Sequence, residues 1–444
     1  MPKTWKLSRY TALVTTPAGD LILHNSFMGA LALIPSVEVQ GLERLFVQGV
    51  TEDDLKNSAA QELCDGGFFC PADLDEQAFV WDTLAKEESE PAFNIIALTT
   101  DLCNFSCEYC YETHERGAMR RGVVEGLKKL VEGKAPTVRR LSVSWFGGEP
   151  LVAQNVIWEL SRSFIDSCSK AGSSYSADIT TNGYLLSPAT VNRLLASQVR
   201  RIQVTIDGAE SSHNRNRHLV GGGGTYRRIV DNLKHMRTLA DDFHVSIRVN
   251  FNDESIPTLG EFFDEISTLF GGDPRFGLYM RPIGKWGGPN DSQLSVCDPK
   301  ESKLIETRLT TDYAGLGALD KVVKTALNPH GRVCYASKPS SVIVGPDGTI
   351  YKCSVAFDDI RNQVGRLTES GELELNQSRW DLWVSNGTKD MTRCYACTYG
   401  PTCQGRSCPR NSLDADKPVC PMNAREYEQL VQLATLCGRD GAFS

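Results

Sequence analysis

The sequence predicts an α/β fold: a mainly parallel sheet with helices outside it. Three observations carry this. Six short β-rich runs recur through the middle of a 444-residue chain. Each is followed by a polar loop and an amphipathic helical stretch. The loops after the first four carry the most unusual residue groupings in the chain.

In chain order the runs are FNIIALTT (93–100), RLSVSWF (140–146), YSADITT (175–181), RIQVTI (201–206), FHVSIRVNF (243–251) and FGLYMRPI (276–283). Between them lie VVEGLKKLVEG, NVIWELSRSFIDSC, SPATVNRLLAS, TYRRIVDNLKHMRTL and IPTLGEFFDEISTLF, all with helical periodicity. Pro188 suits a first helical turn. Such a sheet is open or curves towards a barrel, and the spacing accommodates both. In either form ligands sit at the carboxyl ends of the strands. CNFSCEYCY follows the first run, GGEP the second, TNG the third and DG the fourth. Four marked loops at one end of one sheet indicate one site.

Composition narrows the function. Hydrophobic residues at 41 % and charged residues at 23 % describe a soluble globular chain. No apolar run approaches the roughly 18–20 residues of a membrane span. The start, MPKTWKLSRY, lacks the apolar stretch of a signal peptide. A cytoplasmic protein without a membrane partner is expected. A net charge of −8 argues against a sequence-independent grip on nucleic acid. Fifteen cysteines, an odd number in a chain with no sign of export, favour metal or redox chemistry over disulfides.

Cys103, Cys107 and Cys110 crowd onto the first loop. Thiolates are soft ligands suited to iron–sulfur clusters and zinc. Three of them leave one iron of a four-iron cubane free to take a substrate's amine and carboxylate, as catalytic metal sites keep an open position. The alternative is a structural zinc site completed by a distant histidine, or simply buried thiols. The seven histidines show no close ligand spacing.

Cys103-x3-Cys107-x2-Cys110, with Tyr109 ahead of the last cysteine, resembles the signature of the radical S-adenosylmethionine (SAM) enzymes, and the resemblance runs over about residues 93–425. It implies a partial (β/α)6 barrel at 91–300 and a 4Fe–4S cluster on those three cysteines. The open iron of that cluster would chelate SAM, and one electron would cleave it to methionine and a 5′-deoxyadenosyl radical. Gly147, Gly148, Glu149 and Pro150 resemble the family's methionine-binding stretch. The glycines would allow close backbone approach to the ligand, and Glu149 would accept from its ammonium; alone, GGEP reads equally as a strand-ending turn. By the same resemblance Tyr109 is a SAM contact, Asn182 looks like a ribose or carboxylate contact, Asp207 has a similar part, and Arg248 pairs with the SAM carboxylate. A turn aspartate and a solvated strand-end arginine explain the last two as well. GGGG at 221–224 lacks the G-x-x-x-x-G-K-[ST] pattern and reads as a flexible loop.

Seven more cysteines follow: Cys334, Cys353, Cys394, Cys397, Cys403, Cys408 and Cys420. VIVGPDGTIYKC, which ends at Cys353, reads as a hairpin around a Pro-Asp-Gly turn. C-x2-C followed by two further cysteines is also a zinc-ribbon pattern. The array resembles the SPASM domain, expected here at 331–425 between a bridging segment (301–330) and a C-terminal helix and tail (426–444). That resemblance implies two auxiliary 4Fe–4S clusters, three in all. Cys394, Cys397, Cys403 and Cys420 would hold one, and Cys334, Cys353 and Cys408 the other. Two features depart from the family. Four residues separate Cys403 from Cys408 where the family has three, and TALNPHG before Cys334 offers no ligand. Cys297, His330 or the substrate would complete that cluster, or one iron stays open. Cys64, Cys70, Cys168 and Cys437 read as ordinary thiols.

The first ninety residues read as three strands (RYTALVTT, GDLILHN, GALALIP) and three helices (SVEVQGLERLFVQG, TEDDLKNSAAQELC, LDEQAFVWDTLAKEE). A winged-helix-like β3α3 module at 1–90 is similar to the element that binds leader peptides in ribosomal peptide maturases, which adds the leader as an edge strand; a stabilising cap is the other reading. The resemblance as a whole implies hydrogen abstraction from a ribosomally made precursor peptide to install a thioether or carbon–carbon cross-link. The electron would come from a reduced flavodoxin- or ferredoxin-like donor. An anaerobic sulfatase maturase making formylglycine is the alternative enzyme, although such enzymes begin close to the first cysteine motif. A zinc-stabilised peptide-binding scaffold is the non-catalytic class.

Overall fold

The computed structural model describes residues 3–312, 323, 325–385 and 390–437; part of the expected bridging segment and the tail after 437 lie outside them. The chain divides into two compact units. One combines Met1–Glu90, Asp320–Ser337 and Ser385–Ser444; the other combines Pro91–Leu319 and Lys338–Val384.

In the first unit, β1 (Thr4–Leu7), β2 (Thr11–Thr15), β3 (Leu21–Asn25) and β4 (Ala30–Ile34) precede α1 (Ser36–Gln48), β5 (Val50–Thr51), α2 (Ser58–Asp65), β6 (Phe69–Pro71) and α3 (Glu76–Glu88). The three expected strands form the antiparallel sheet β2-β3-β4, and the three expected helices are α1, α2 and α3. A second sheet, β5-β1-β6, is additional. Its strands hold only two to four residues, too few to show alternation. Asn57 and Asp75 cap α2 and α3 by accepting from Ala59 N–H and Ala78 N–H. Leu23, Ile34, Leu42, Leu45, Val50 and Phe69 form the core, each stabilising by about 1.5–3 kcal/mol when fully buried.

The cysteine-rich stretch from 390 onward belongs to this same unit and runs through short helices at Thr392–Tyr395, Gly400–Cys403 and Pro409–Ala415 before Ala424–Cys437. His24 on β3 is wholly buried between Tyr427 Oη and the Leu327 carbonyl. Arg406 makes a bidentate pair with Glu88, at 2.6 and 2.7 Å.

The second unit is built on one ten-stranded sheet. β7 (Ala92–Thr100), β9 (Arg140–Gly147), β10 (Ser174–Thr181), β11 (Val199–Thr205), β13 (His244–Phe251) and β14 (Phe276–Pro282) are the six expected strands, all parallel. Helices Arg121–Lys134, Gln154–Ala171, Pro188–Ala196, Tyr226–Arg237 and Leu259–Phe270 fill the expected positions, with Ser187 capping ahead of Pro188. Their apolar faces bury Trp145, Phe164, Phe251, Phe262, Phe263 and Phe270 against the sheet. The opposite face is polar, with Ser142, Ser144, Ser176, Asp178, Gln203, Arg248 and Tyr279 half-buried along it.

The remaining strands are β8 (Phe105–Cys107), β12 (Arg217–Leu219), β15 (Ser341–Val344), β16 (Thr349–Tyr351), β17 (Gln363–Leu367) and β18 (Leu373–Leu375). The sheet order is β14-β13-β11-β10-β9-β7-β15-β16-β17-β18. The Pro-Asp-Gly hairpin forms as β15 and β16, but β15 also pairs in parallel with β7. The stretch expected as one domain at 331–425 is therefore divided, and 338–384 continues the large sheet of the second unit. The reason is local. Ser341–Val344 is buried along its whole length and satisfies the open edge of β7, Asn94 N–H donating to Ser340 O at 2.8 Å.

Candidate active site

β7 ends at Thr100 and the chain turns directly into the loop bearing Cys103, Cys107 and Cys110. Gly147, with φ +126°, lies against that turn: a Cβ there would stand 2.0 Å from Thr100 O. A Cβ on Gly148 would stand 2.4 Å from Asp101 O and 2.6 Å from Leu102 O. Gly148 N–H donates to Thr100 O and Glu149 N–H to Leu102 O, at 3.1 and 2.9 Å. The glycine pair thus admits the backbone of the cysteine loop itself, a different use from the ligand approach expected of it.

Glu149 is wholly buried. Oε1 accepts from Leu151 N–H at 3.0 Å and Thr181 Oγ1–H at 2.8 Å, and Oε2 accepts from Asn182 N–H at 2.7 Å. Burial pushes the carboxyl up, against the pull of these donors. It joins the ends of β9 and β10. Pro150 opens the short turn Pro150–Ala153, and its carbonyl accepts from Thr99 Oγ1–H at 3.2 Å. Asn182, 6 % exposed, donates from Nδ2 to Asn104 Oδ1 at 2.8 Å, and the same nitrogen is 4.0 Å from Cys103 Sγ.

Phe105 N–H donates to Cys103 Sγ at 3.4 Å, and His114 Nε2 lies 3.8 Å from Cys110 Sγ. Cys107 is the register partner of Arg217 in the antiparallel β8–β12 ladder. Burial pushes the Cys103 thiol up to about 12 and the Cys107 thiol to about 11. Cys107 and Cys110 add to the rise at Cys103. Three half-buried thiols on one loop would become thiolates were a cation to gather them. They fit three corners of an iron–sulfur cluster.

Tyr109 turns inward. Its hydroxyl donates to Asp207 and accepts from Arg217 Nη1 at 2.6 Å and Asn250 Nδ2 at 3.0 Å. Asp207 also accepts from Asn250 N–H at 3.0 Å, and its own N–H donates to His213 Nδ1 at 3.1 Å. Burial raises the Asp207 carboxyl, with Arg217 pulling the other way. Tyr109 and Asp207, expected to touch SAM, therefore brace the cysteine loop from inside. Arg248 is half-buried on the polar face, donating from Nε to Asn250 Oδ1 at 2.8 Å. The network also recruits His213, Arg217 and Asn250, which sequence reasoning missed. Arg217 sits on a three-residue strand with no periodicity of its own. The only signal available was a cluster of polar residues after DG.

The second cysteine group is partly assembled within the first unit. Burial pushes Cys403 up to about 12, with Cys397, Cys394 and Cys420 adding to the rise. Burial, then Cys420 and Cys397, raise Cys394. Gly405, at φ +64°, is required beside it, because a Cβ there would stand 2.9 Å from Cys394 Sγ. Cys334 N–H donates to Arg406 O at 2.9 Å. Cys353 belongs to the other unit, where its N–H donates to Asn362 Oδ1 at 2.8 Å. Of the two fourth ligands considered, His330 has both ring nitrogens engaged, by Glu87 Oε2 at 2.7 Å and Gln404 Nε2 at 2.8 Å. Cys297 is buried beside Asp253, with its thiol pushed up to about 12 by burial and then by that carboxylate. Among the described residues, no three His, Cys, Asp or Glu side chains are gathered closely enough to hold a single metal ion.

Residues 98–266 match the Radical SAM superfamily. The chain is 20 % identical over 334 residues to a cysteine-type anaerobic sulfatase-maturating enzyme of Clostridium novyi (strain NT), covering 70 % of this chain and 85 % of that one. It is 22 % identical over 324 residues to mycofactocin maturase MftC of Mycolicibacterium smegmatis, covering 70 % and 77 %. Its fold is similar to that of native anSMEcpe with bound AdoMet and Kp18Cys peptide, with a TM-score of 0.59, 17 % identity, and coverage of 78 % of this chain and 98 % of that one. It is also similar to Streptococcus suis SuiB bound to precursor peptide SuiA, with a TM-score of 0.50, 14 % identity, and coverage of 93 % and 98 %. A radical SAM domain works with SAM and a 4Fe–4S cluster, and the half-buried cysteine trio offers the thiolate donors such a cluster takes. The chain carries a radical SAM domain over residues 98–266 and is an enzyme of that type, the loop after β7 lying within the domain.

Proposed function

We propose that this enzyme is a maturase of ribosomally made precursor peptides and installs a thioether or carbon–carbon cross-link. The observation that carries the reading is the half-buried trio Cys103, Cys107 and Cys110 at the carboxyl end of parallel strands, one face of whose sheet is polar. The relatives named above include peptide and protein maturases, which supports a peptide as the substrate.

Bound at the trio, the cluster and SAM supply a 5′-deoxyadenosyl radical that takes a hydrogen atom. The chain's own residues do the rest. Glu149 and Asn182 hold the loop ends, and Tyr109 and Asp207 brace the loop from inside. Arg248 and Tyr279 present polar groups on the face of the sheet. We assign residues 1–90 to leader recognition, with β2 and β4 as the outer strands on which an extended peptide can add. Leu13 and Leu33 on those strands are 41 % and 43 % exposed. We assign the C-terminal cysteines to a SPASM-type pair of auxiliary clusters, with Cys394, Cys397, Cys403 and Cys420 on one and Cys334, Cys353 and Cys408 on the other. A flavodoxin- or ferredoxin-like donor supplies the electron. No helix among the described residues is long and apolar enough to cross a membrane, and we place the enzyme in the cytoplasm.

The test is to seek a short open reading frame next to the enzyme's gene, co-express the two anaerobically and follow with mass spectrometry. A loss of two hydrogens is the expected result. A hydrazine-reactive aldehyde on a sulfatase cysteine or serine would instead establish sulfatase maturation. An unmodified peptide from protein that still cleaves SAM would reject that peptide as substrate.

A further inference from the structure

Arg217 is 7 % exposed and stands opposite Cys107 in the β8–β12 ladder. Its Nη1 donates to the Tyr109 oxygen at 2.6 Å and lies 3.9 Å from Asp207 Oδ2. Its Cζ is 5.7 Å from the ring centre of Phe105 and 6.0 Å from that of Tyr109. Its Nε is buried with no hydrogen-bond partner. Burying a guanidinium costs several kcal/mol unless it is well paired. Here the pairing is incomplete: the phenol is neutral, and the carboxylate is at long range. A guanidinium stays protonated at any ordinary pH. A permanent cation is thus fixed beside one thiol of the trio, in surroundings where charge is weakly screened.

We propose that Arg217 is a positioning residue that makes the cluster on Cys103, Cys107 and Cys110 easier to reduce, by keeping a fixed positive charge beside Cys107. The inference rests on Cys107 being a ligand of that cluster. Reduction adds one electron to a group already carrying thiolate charge. A neighbouring cation stabilises the reduced form more than the oxidised one, so the midpoint potential rises. Asp207 offsets part of that field while holding Tyr109, and Tyr109 in turn aims Arg217. The two ionic residues therefore act in opposite senses. A purely structural role gives no reason for such a difference in sign.

The experiment is a redox titration of the anaerobically reconstituted full chain, read by the EPR signal that changes when SAM is added, with iron content measured alongside. Arg217→Met is expected to be at least tenfold less reduced at a fixed potential, equivalent to about 59 mV for one electron. Arg217→Lys should restore most of the shift, and Asp207→Asn should move the midpoint upward. A wild-type midpoint in Arg217→Met at full iron content would overturn the proposal. So would Asp207→Asn shifting downward together with Arg217→Met, the pattern of a loosened loop. Should Arg217→Met fail to hold iron, Asp207→Asn and Arg217→Lys decide alone: an upward and a near-native midpoint support the proposal, and anything else overturns it. Wild-type protein that assembles no cluster at this loop would remove the ligand assignment, and the inference with it.

Discussion

Glu149 Oε2 accepts the backbone N–H of Asn182 at 2.7 Å, so the loop after β9 and the loop after β10 meet on one buried carboxylate. That contact, with the Glu149 N–H to Leu102 O bond at 2.9 Å, ties three neighbouring strand ends into one rim around Cys103. The rim is made of backbone groups held by a single side chain.

Glu149→Gln tests that tie. An amide presents one acceptor and one donor where two acceptors are needed, leaving an N–H facing an N–H. A loss of about 1–3 kcal/mol is expected, measured by denaturant unfolding, along with lower iron retention at the first site. Unchanged stability and iron content would show that the carboxylate is not what joins the loops.

Gly147→Ala should be worse tolerated than its size suggests. The backbone strain at φ +126° costs on the order of 1–3 kcal/mol, and a Cβ 2.0 Å from Thr100 O forces the cysteine loop to shift. The melting temperature should fall and iron uptake should drop. Gly41→Ala is the contrasting case: it is exposed within α1 with open space around it, and should gain about 0.5–1 kcal/mol.

His24 predicts acid sensitivity in the first unit. Burial lowers its pKa to about 4. Below its unfolded value near 6.5 the unfolded chain binds the proton and the folded one does not, so stability present above pH 6.5 is lost as pH falls towards 4. At about 1.4 kcal/mol per pH unit the full loss is roughly 3 kcal/mol. Urea unfolding at pH 7 and pH 5 should reveal the slope, and His24→Gln should flatten it. Equal slopes in both proteins would show that another group titrates.

Cys107→Ala and Cys403→Ala separate the cluster sites. The first should abolish 5′-deoxyadenosine formation while iron persists at the C-terminal cysteines. The second should remove on the order of four irons and leave some SAM cleavage. Continued cleavage by Cys107→Ala would exclude that cysteine as a ligand.

Much of this was legible in the chain. The six parallel strands and five of their helices could be read because apolar residues repeat at two or at 3.6 residues over eight or more positions. The cysteine trio could be read because its ligand spacing is local. Cys394 and Cys397 share that locality, and Cys420 and Cys397 raise the Cys403 thiol along with burial.

What only tertiary structure decided was how these pieces are braced. β8 and β12 hold three residues each, with no period to detect, and their pairing places Arg217 beside Cys107 from the far side of DG. Glu149 and Asp207, read as contacts to SAM, also take donors from other loops inside the protein. Ser341–Val344 looks like half a hairpin until β7 offers it an open edge. Sequence determines which local conformation and which metal chemistry a stretch can support. Which polar groups remain free depends on what lies across the fold, because every buried donor and acceptor must find a partner there.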